Sequence, residues 1–232
     1  MVSVHSSKVR PPLPPGPFLV VGLARSGVAA AIALKAHGQA VHGVDSGVPD
    51  SLGELDSAGI GYDLGTDGLE QLEGIGTLVK SPGVPAEAPV VTAARENGIP
   101  VIGELELGWR LVEARYMAVT GTNGKTTTTE MAAHIFRSAG RPVEAAGNVG
   151  NPLTALALAP VEDGTTVVCE CSSFQLEDTV DFSPEVAIHL NLAPDHLDRH
   201  GDFESYGQAK LRIFRNQVAG DVAVLNADDT EV

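Results

Sequence analysis

Short apolar runs alternate along the chain with Ala-rich or amphipathic stretches of helical period, and Gly or Pro closes most of them. FLVVGLA, from Phe18 to Ala24, predicts a buried strand, and Ser26 to Gly38 predicts an Ala-rich helix stopped by glycine. AVHGVD predicts a second strand ending at Asp45. A strand over Ile75 to Lys80, a turn at Ser81-Pro82-Gly83, a helix over Ala88 to Asn97 and a strand near Ile99 to Gly103 continue the pattern. Continuous rather than alternating apolar runs are the mark of strands covered on both faces, so the pattern implies a parallel sheet flanked by helices.

Glu104 to Arg115 reads as a helix leading into a second unit, in which the same grammar restarts at Tyr116. Expected there are a helix from about Thr126 to Ala139, a strand at Pro142 to Ala145, and a fully buried strand within TTVVCECSS, from Thr165 to Ser173. Strands over Glu185 to Leu192 and Asp221 to Asn226 flank an expected helix from Phe203 to Asn216. The resulting division is a flexible Pro-rich tail over 1–17, a first α/β domain over 18–114 and a second over 115–232. The chain stops at Val232 directly after a strand and the loop NADD, which raises the expectation of a further domain beyond it.

Composition narrows the partners. With 15 basic and 30 acidic residues the net charge is −15, which repels nucleic acid and anionic lipid at long range. No 18-residue apolar run and no signal-peptide core occur, so the expected protein is cytoplasmic, without a membrane span, and a monomer. Cys169 and Cys171 lie two apart in an apolar run and read as reduced core residues on one strand face.

The strongest chemical signal is MAVTGTNGKTTTT, Met117 to Thr129. An apolar strand delivers the chain to Gly121, a turn through Thr122, Asn123 and Gly124 exposes backbone N–H groups, and Lys125, Thr126 and Thr127 open a helix. Such a cradle suits a nucleotide triphosphate, with Lys125 as a point charge and the Thr126 hydroxyl as a magnesium ligand. The usual six-residue spacing would put glycine where Val119 stands, so only the shorter G-T-N-G-K-T core is present.

Other candidates stay open on residues alone. Gly22 to Gly27 resembles a dinucleotide turn with Asp45 at the ribose position, but Ala24 replaces the middle glycine, leaving NAD, another nucleotide or a plain turn. Glu170, ending an apolar strand, suits a magnesium-side carboxylate or a solvated strand end. His196 in PDHLDRH suits a metal or phosphate contact, whereas Asp195 and Asp198 there equally suit helix caps. Lys210, on an amphipathic helix, reads by itself as a surface lysine.

Taken in order, TGTNGKTTT, GNVGNP, ECSSFQLE, NLAPDHLDRH, QAKLRIF and NADD resemble the Mur ligase family of peptidoglycan synthesis. GLARSG, SPGV and CSSFQLE resemble the members that add D-glutamate. The resemblance implies a Rossmann-like first domain that binds a UDP-linked substrate, followed by a P-loop-type α/β domain that binds ATP. Arg25, Ser26, Asp45, Ser46, Gly83, Asn148 and Gln175 would contact the UDP substrate. Lys125, His196 and Lys210 would be catalytic. Thr126, Glu170, His196 and a carbamylated Lys210 would serve two magnesium positions. The implied activity is ATP-dependent addition of D-glutamate to UDP-N-acetylmuramoyl-L-alanine through an acyl phosphate, with this chain inactive alone. Alternatives are a folylpolyglutamate synthase-like ligase of the same superfamily, a P-loop ATPase, and a non-catalytic nucleotide-binding module.

Overall fold

The computed structural model describes residues 8–50 and 52–232. Two five-stranded sheets, each built only from parallel pairs, follow one another along the chain. The first contains β1 (Phe18–Val21), β2 (Val41–Asp45), β3 (Gly61–Leu64), β4 (Thr77–Lys80) and β5 (Val101–Gly103) in the order β3-β2-β1-β4-β5. Its helices are α1 (Arg25–Ala36), α2 (Leu52–Ser57) and α3 (Pro89–Glu96), and α4 (Glu104–Leu111) leads onward. The second sheet has the order β10-β9-β6-β8-β7, with β6 (Arg115–Thr120), β7 (Val143–Gly147), β8 (Thr166–Glu170), β9 (Val186–His189) and β10 (Val222–Leu225). Helices α5 (Lys125–Ser138), α6 (Ser173–Glu177), α7 (Leu197–His200) and α8 (Phe203–Leu211) complete it.

The continuous apolar strands predicted from sequence are the buried ones: β1, β4 and β8 are buried at every position. β1 and β6 are also where each strand order reverses, so loops leaving their carboxyl ends open into a crevice suited to a ligand. β10 differs. All four of its residues are exposed, including Val222, Val224 and Leu225, on an edge of the second sheet.

Buried polar groups tie the two sheets together. Glu106 on α4 is fully buried and accepts backbone N–H bonds from Val180 (2.9 Å) and Phe182 (2.9 Å), with Arg110 alongside at 2.7 Å. Lys80, at the end of β4, is likewise buried and pairs with Asp178 at 2.8 Å, just past α6. These groups have partners across the junction that local sequence cannot reveal.

Residues 8–17, expected to belong to a flexible tail, instead form a strap, whereas 1–7 lie outside the described residues. Lys8 reaches Asp221 at 2.6 Å and the Ser183 hydroxyl at 2.7 Å. The Arg10 guanidinium lies 4.2 Å from the centre of the Trp109 ring and donates to the Ala114 carbonyl. Thr77 donates to the Pro15 carbonyl at 2.7 Å. Prolines suit this path because they lose little chain entropy on being fixed and run without ladder hydrogen bonds.

Candidate functional site

β6 carries the chain to Gly121, whose φ of +148° no ordinary side chain adopts readily, and Gly124, at φ +82°, opens α5. A Cβ added to Gly121 would also sit 3.0 Å from that of Leu190, a tight contact that the neighbouring strand end would have to relieve. Asn191 holds the turn from the neighbouring strand end. Its side-chain oxygen accepts from the N–H groups of Thr122 (3.1 Å) and Asn123 (2.8 Å), and its amide donates to the Asn123 carbonyl. The Thr122 hydroxyl donates to the Ala193 carbonyl and lies 3.2 Å from the Tyr206 hydroxyl. Asn191 was not singled out in the sequence, although its place directly after an apolar strand and two residues before APDH was a usable signal.

Two lysines converge on this loop. Lys125 folds back to donate to the carbonyls of Gly121 and Thr122, both at 3.0 Å, and Lys210 donates to the same Gly121 carbonyl at 2.7 Å. Lys210 is buried, not the surface lysine its helix pattern suggested. Burial first, and then the nearby Lys125 charge, push its pKa down to about 7. A neutral amine is therefore accessible near physiological pH.

Glu170 ends β8 almost wholly buried, accepting from the Thr126 hydroxyl at 2.7 Å and from the Asn148 amide at 2.9 Å. Hydroxyl and carboxylate are hard oxygen donors of the kind magnesium takes while keeping water and phosphate oxygens in its other positions, so this pair fits one such ion. The remaining expected ligands are not gathered with it. His196 is half exposed at φ +51°, with its ring 5.0 Å from that of Phe174 and 3.5 Å from the Asp195 carboxylate. Among the described residues no group of three or more His, Cys, Asp or Glu side chains could hold a metal, and Cys169 and Cys171 are buried free thiols.

α6 begins with a reciprocal cap. The Ser172 hydroxyl accepts from the Gln175 N–H, and the Gln175 side-chain oxygen accepts from the Ser172 N–H at 3.0 Å. Gln175 is thus a buried cap partner as well as a candidate ligand contact. His200, which the sequence offered only as part of PDHLDRH, packs against the same helix. The His200 ring lies 3.0 Å from the Ser173 hydroxyl through Nε2 and 3.0 Å from the Glu177 carboxylate through Nδ1.

In the first domain, Arg25 is exposed and Ser26 half-buried at the start of α1, beyond the carboxyl end of β1. Asp45 accepts from the N–H groups of Leu23 (2.6 Å) and Gly47 (2.8 Å), which fixes the turn and leaves the carboxylate at its edge. Ser46 and Gly83 are exposed nearby at the ends of β2 and β4. A Cβ on Gly27 would lie 1.8 Å from the Gly22 carbonyl oxygen, so the last glycine of the turn permits the close approach of helix and strand.

His189, at the end of β9, is buried with neither ring nitrogen bonded among the described residues, and burial lowers its pKa to about 4. From pH 6.5 down to about 4 the unfolded chain binds a proton that the folded chain does not. Stability should therefore fall with decreasing pH across that window, by up to about 1.4 kcal/mol per pH unit. Melting curves of His189→Leu should lose this part of the acid sensitivity, and curves that track the unaltered chain would refute it.

Comparison with known proteins matches residues 17–103 to the Mur ligase MurD-like N-terminal domain and 119–232 to the Mur ligase middle domain. The UDP-N-acetylmuramoylalanine–D-glutamate ligase of Acidobacterium capsulatum is 44% identical over 215 residues, covering 91% of this chain and 46% of that protein. The protein of the same name from Koribacter versatilis is 46% identical, covering 91% and 47%. The chain thus spans about half the length of the curated relatives it matches. Among solved structures, UDP-N-acetylmuramate-alanine ligase from Thermotoga maritima aligns with a TM-score of 0.57 at 24% identity, over 93% of this chain and 50% of that one. UDP-N-acetylmuramate:L-alanyl-gamma-D-glutamyl-meso-diaminopimelate ligase from Neisseria meningitides aligns with a TM-score of 0.63 at 20% identity, over 92% and 72%. These two likenesses speak for the fold alone. With both domain models matched in order over two parallel sheets, the chain belongs to the Mur ligase family, carrying its MurD-like N-terminal domain and its middle domain.

Proposed function

We propose that this chain supplies the UDP-substrate and ATP sites of a ligase that adds D-glutamate to UDP-N-acetylmuramoyl-L-alanine. The observation that carries the reading is the pairing of a phosphate loop with the buried Glu170 carboxylate, which accepts from Thr126 and Asn148 at the surface, in a chain whose relatives bear that activity in their names. The loops after β1, β2 and β4 take the UDP moiety through Arg25, Ser26, Asp45, Ser46 and Gly83, with Asn148 and Gln175 reaching it from the second domain. The chain spans about half the length of these relatives, and the proposed role of its own residues is to bind the two nucleotide-bearing ligands rather than to complete the ligation.

A carboxylate resists attack by an amine until an oxygen is turned into a leaving group. The alanyl carboxylate attacks the γ-phosphorus of ATP, releasing ADP and forming an acyl phosphate; the amine then displaces phosphate and loses a proton. Lys125, which donates to two loop carbonyls, swings to the terminal phosphates and spreads their charge, while the loop N–H groups hold them in line. Thr126 and Glu170 would hold magnesium, which neutralises phosphate charge. The neutral Lys210 amine adds carbon dioxide, forming an N–C bond and releasing a proton. The resulting carbamate replaces a cation with an anionic oxygen donor beside the loop. His196, whose ring lies 6.4 Å from that of Tyr206, would serve a second magnesium position.

Calorimetric titration of this chain tests the reading. UDP-N-acetylmuramoyl-L-alanine and magnesium–AMP-PNP should each bind one to one, and NAD should not compete with the first. NAD binding with no UDP-ligand binding would overturn it, and dipeptide product from the chain alone would overturn the division of labour.

A further inference from the structure

The four-residue helix α7 is held by two grips that point in opposite directions. On one side, Arg199 donates to three successive carbonyls of a first-domain turn: Val84 at 2.7 Å, Pro82 at 3.3 Å and Gly83 at 3.5 Å. On the other, His200 reaches Ser173 and Glu177 of α6, which begins three residues after Glu170. Phe174 joins the two. Its ring lies 4.7 Å from the Arg199 guanidinium carbon, stacks on His200 at 5.3 Å and 11°, and meets His196 at 5.0 Å.

The two cations on the 82–84 turn differ in kind. Lys80 also donates to the Val84 carbonyl, at 2.8 Å, but it is buried and neutralised by Asp178, a fixed tie between the domains. Arg199 is half-buried and, among the described residues, has no carboxylate within 4.0 Å; its bonds go only to neutral carbonyls of a turn whose Gly83 is exposed, with open space where a Cβ would stand. Reorienting such a turn changes the Arg199 bonds without breaking a buried ion pair. The guanidinium is a rigid, planar fork that makes its three bonds as a unit and packs on Phe174, so a shift of the turn is passed to the Arg199 side chain as a whole. His196, at φ +51°, is the residue from which α7 starts.

We propose that Arg199 is a positioning residue that makes the placement of His196 depend on how the 82–84 turn is held, so that filling the first-domain pocket and filling the phosphate loop favour each other. This rests on the function proposed above. It assigns energetic coupling to one side chain outside the residues named for either ligand. Coupling of this kind is reciprocal: whatever factor the UDP ligand adds to nucleotide affinity, the nucleotide adds to UDP-ligand affinity.

The test is magnesium–AMP-PNP titration of this chain with and without saturating UDP-N-acetylmuramoyl-L-alanine, repeated in the reverse order. The unaltered chain should bind the nucleotide about fivefold or more tightly when the UDP ligand is present. In Arg199→Ala that ratio should fall to about one. Should the alanine variant fail to fold, Arg199→Lys, which keeps the charge but loses the planar fork, should bring the ratio below about two. A purely structural Arg199 would weaken both ligands by a common factor and leave the ratio intact, which overturns the proposal. Independent binding of the two ligands in the unaltered chain overturns it as well, while leaving the functional reading standing. Failure of either ligand to bind at all removes the functional reading and this proposal together.

Discussion

Lys125→Ala, in a chain extended to its relatives' full length, is expected to lower ligase turnover by about 10² to 10³-fold. The half-buried ammonium sits in the phosphate loop itself, 3.0 Å from two of its carbonyls. Lys210 cannot substitute for it, because it is buried and its charge is already weakened by a pKa of about 7. UDP-ligand binding measured without nucleotide should stay within about twofold, since the hydrogen bonds of Lys125 go to Gly121 and Thr122 of the phosphate loop and to none of the residues proposed to hold that ligand. Steady-state kinetics and calorimetry on the same variant separate the two quantities. A loss shared equally between turnover and UDP-ligand affinity would show that the loops do not divide the work in this way.

Asp178→Ala should be the most damaging single change to the fold, costing about 3–5 kcal/mol by stranding Lys80 as an unpaired buried charge. The partner that remains, the Val84 carbonyl, is shared with Arg199 and neutralises nothing. Arg95, 3.4 Å from Asp178 and half exposed, can turn to water and suffers little. The midpoint of thermal unfolding should drop by on the order of 10 °C. Replacing both members together, Lys80→Met with Asp178→Leu, should recover most of that loss, because the burial cost of the two charges disappears along with their attraction. A double variant as unstable as the single one would mean that the residues act through packing and not through charge.

How far the fold could be read from sequence depended on the length of each element. β1 and β8 are continuous apolar runs and were readable for that reason, as was α5 behind its glycine turn. α6 and α7, at five and four residues, are too short to display a helical period, so their positions were missed even though their residues drew attention. α2 and β3 were missed likewise; β3 has no buried residue to mark it. The helix expected over 203–216 ends at Leu211 and tightens into a 3-10 turn over Arg212–Phe214. The strap over 8–17 was misread because its prolines signal an extended chain but say nothing of distant partners such as Trp109 and Asp221.

The site shows the same division. Thr126 beside Glu170 follows from a phosphate loop with a carboxylate on the next strand, and both were nominated. Asn191, Ser173 and His200 depend on which strand ends meet in space, which no local pattern encodes. Lys210 shows the limit most sharply. Its helix pattern argues for the surface, and only the fold turns its side chain inward onto the Gly121 carbonyl.

The bare edge along β10 has a bearing on how this polypeptide behaves in the tube. Among the described residues, Val222, Val224 and Leu225 stand uncovered on a strand with one unpaired side, a template onto which another molecule can zip. What opposes that zipping is mutual repulsion between molecules carrying a charge of −15, and ions shorten its reach to about 8 Å at physiological strength. Solutions of this chain should consequently turn cloudy on adding salt sooner than on concentrating them in dilute buffer.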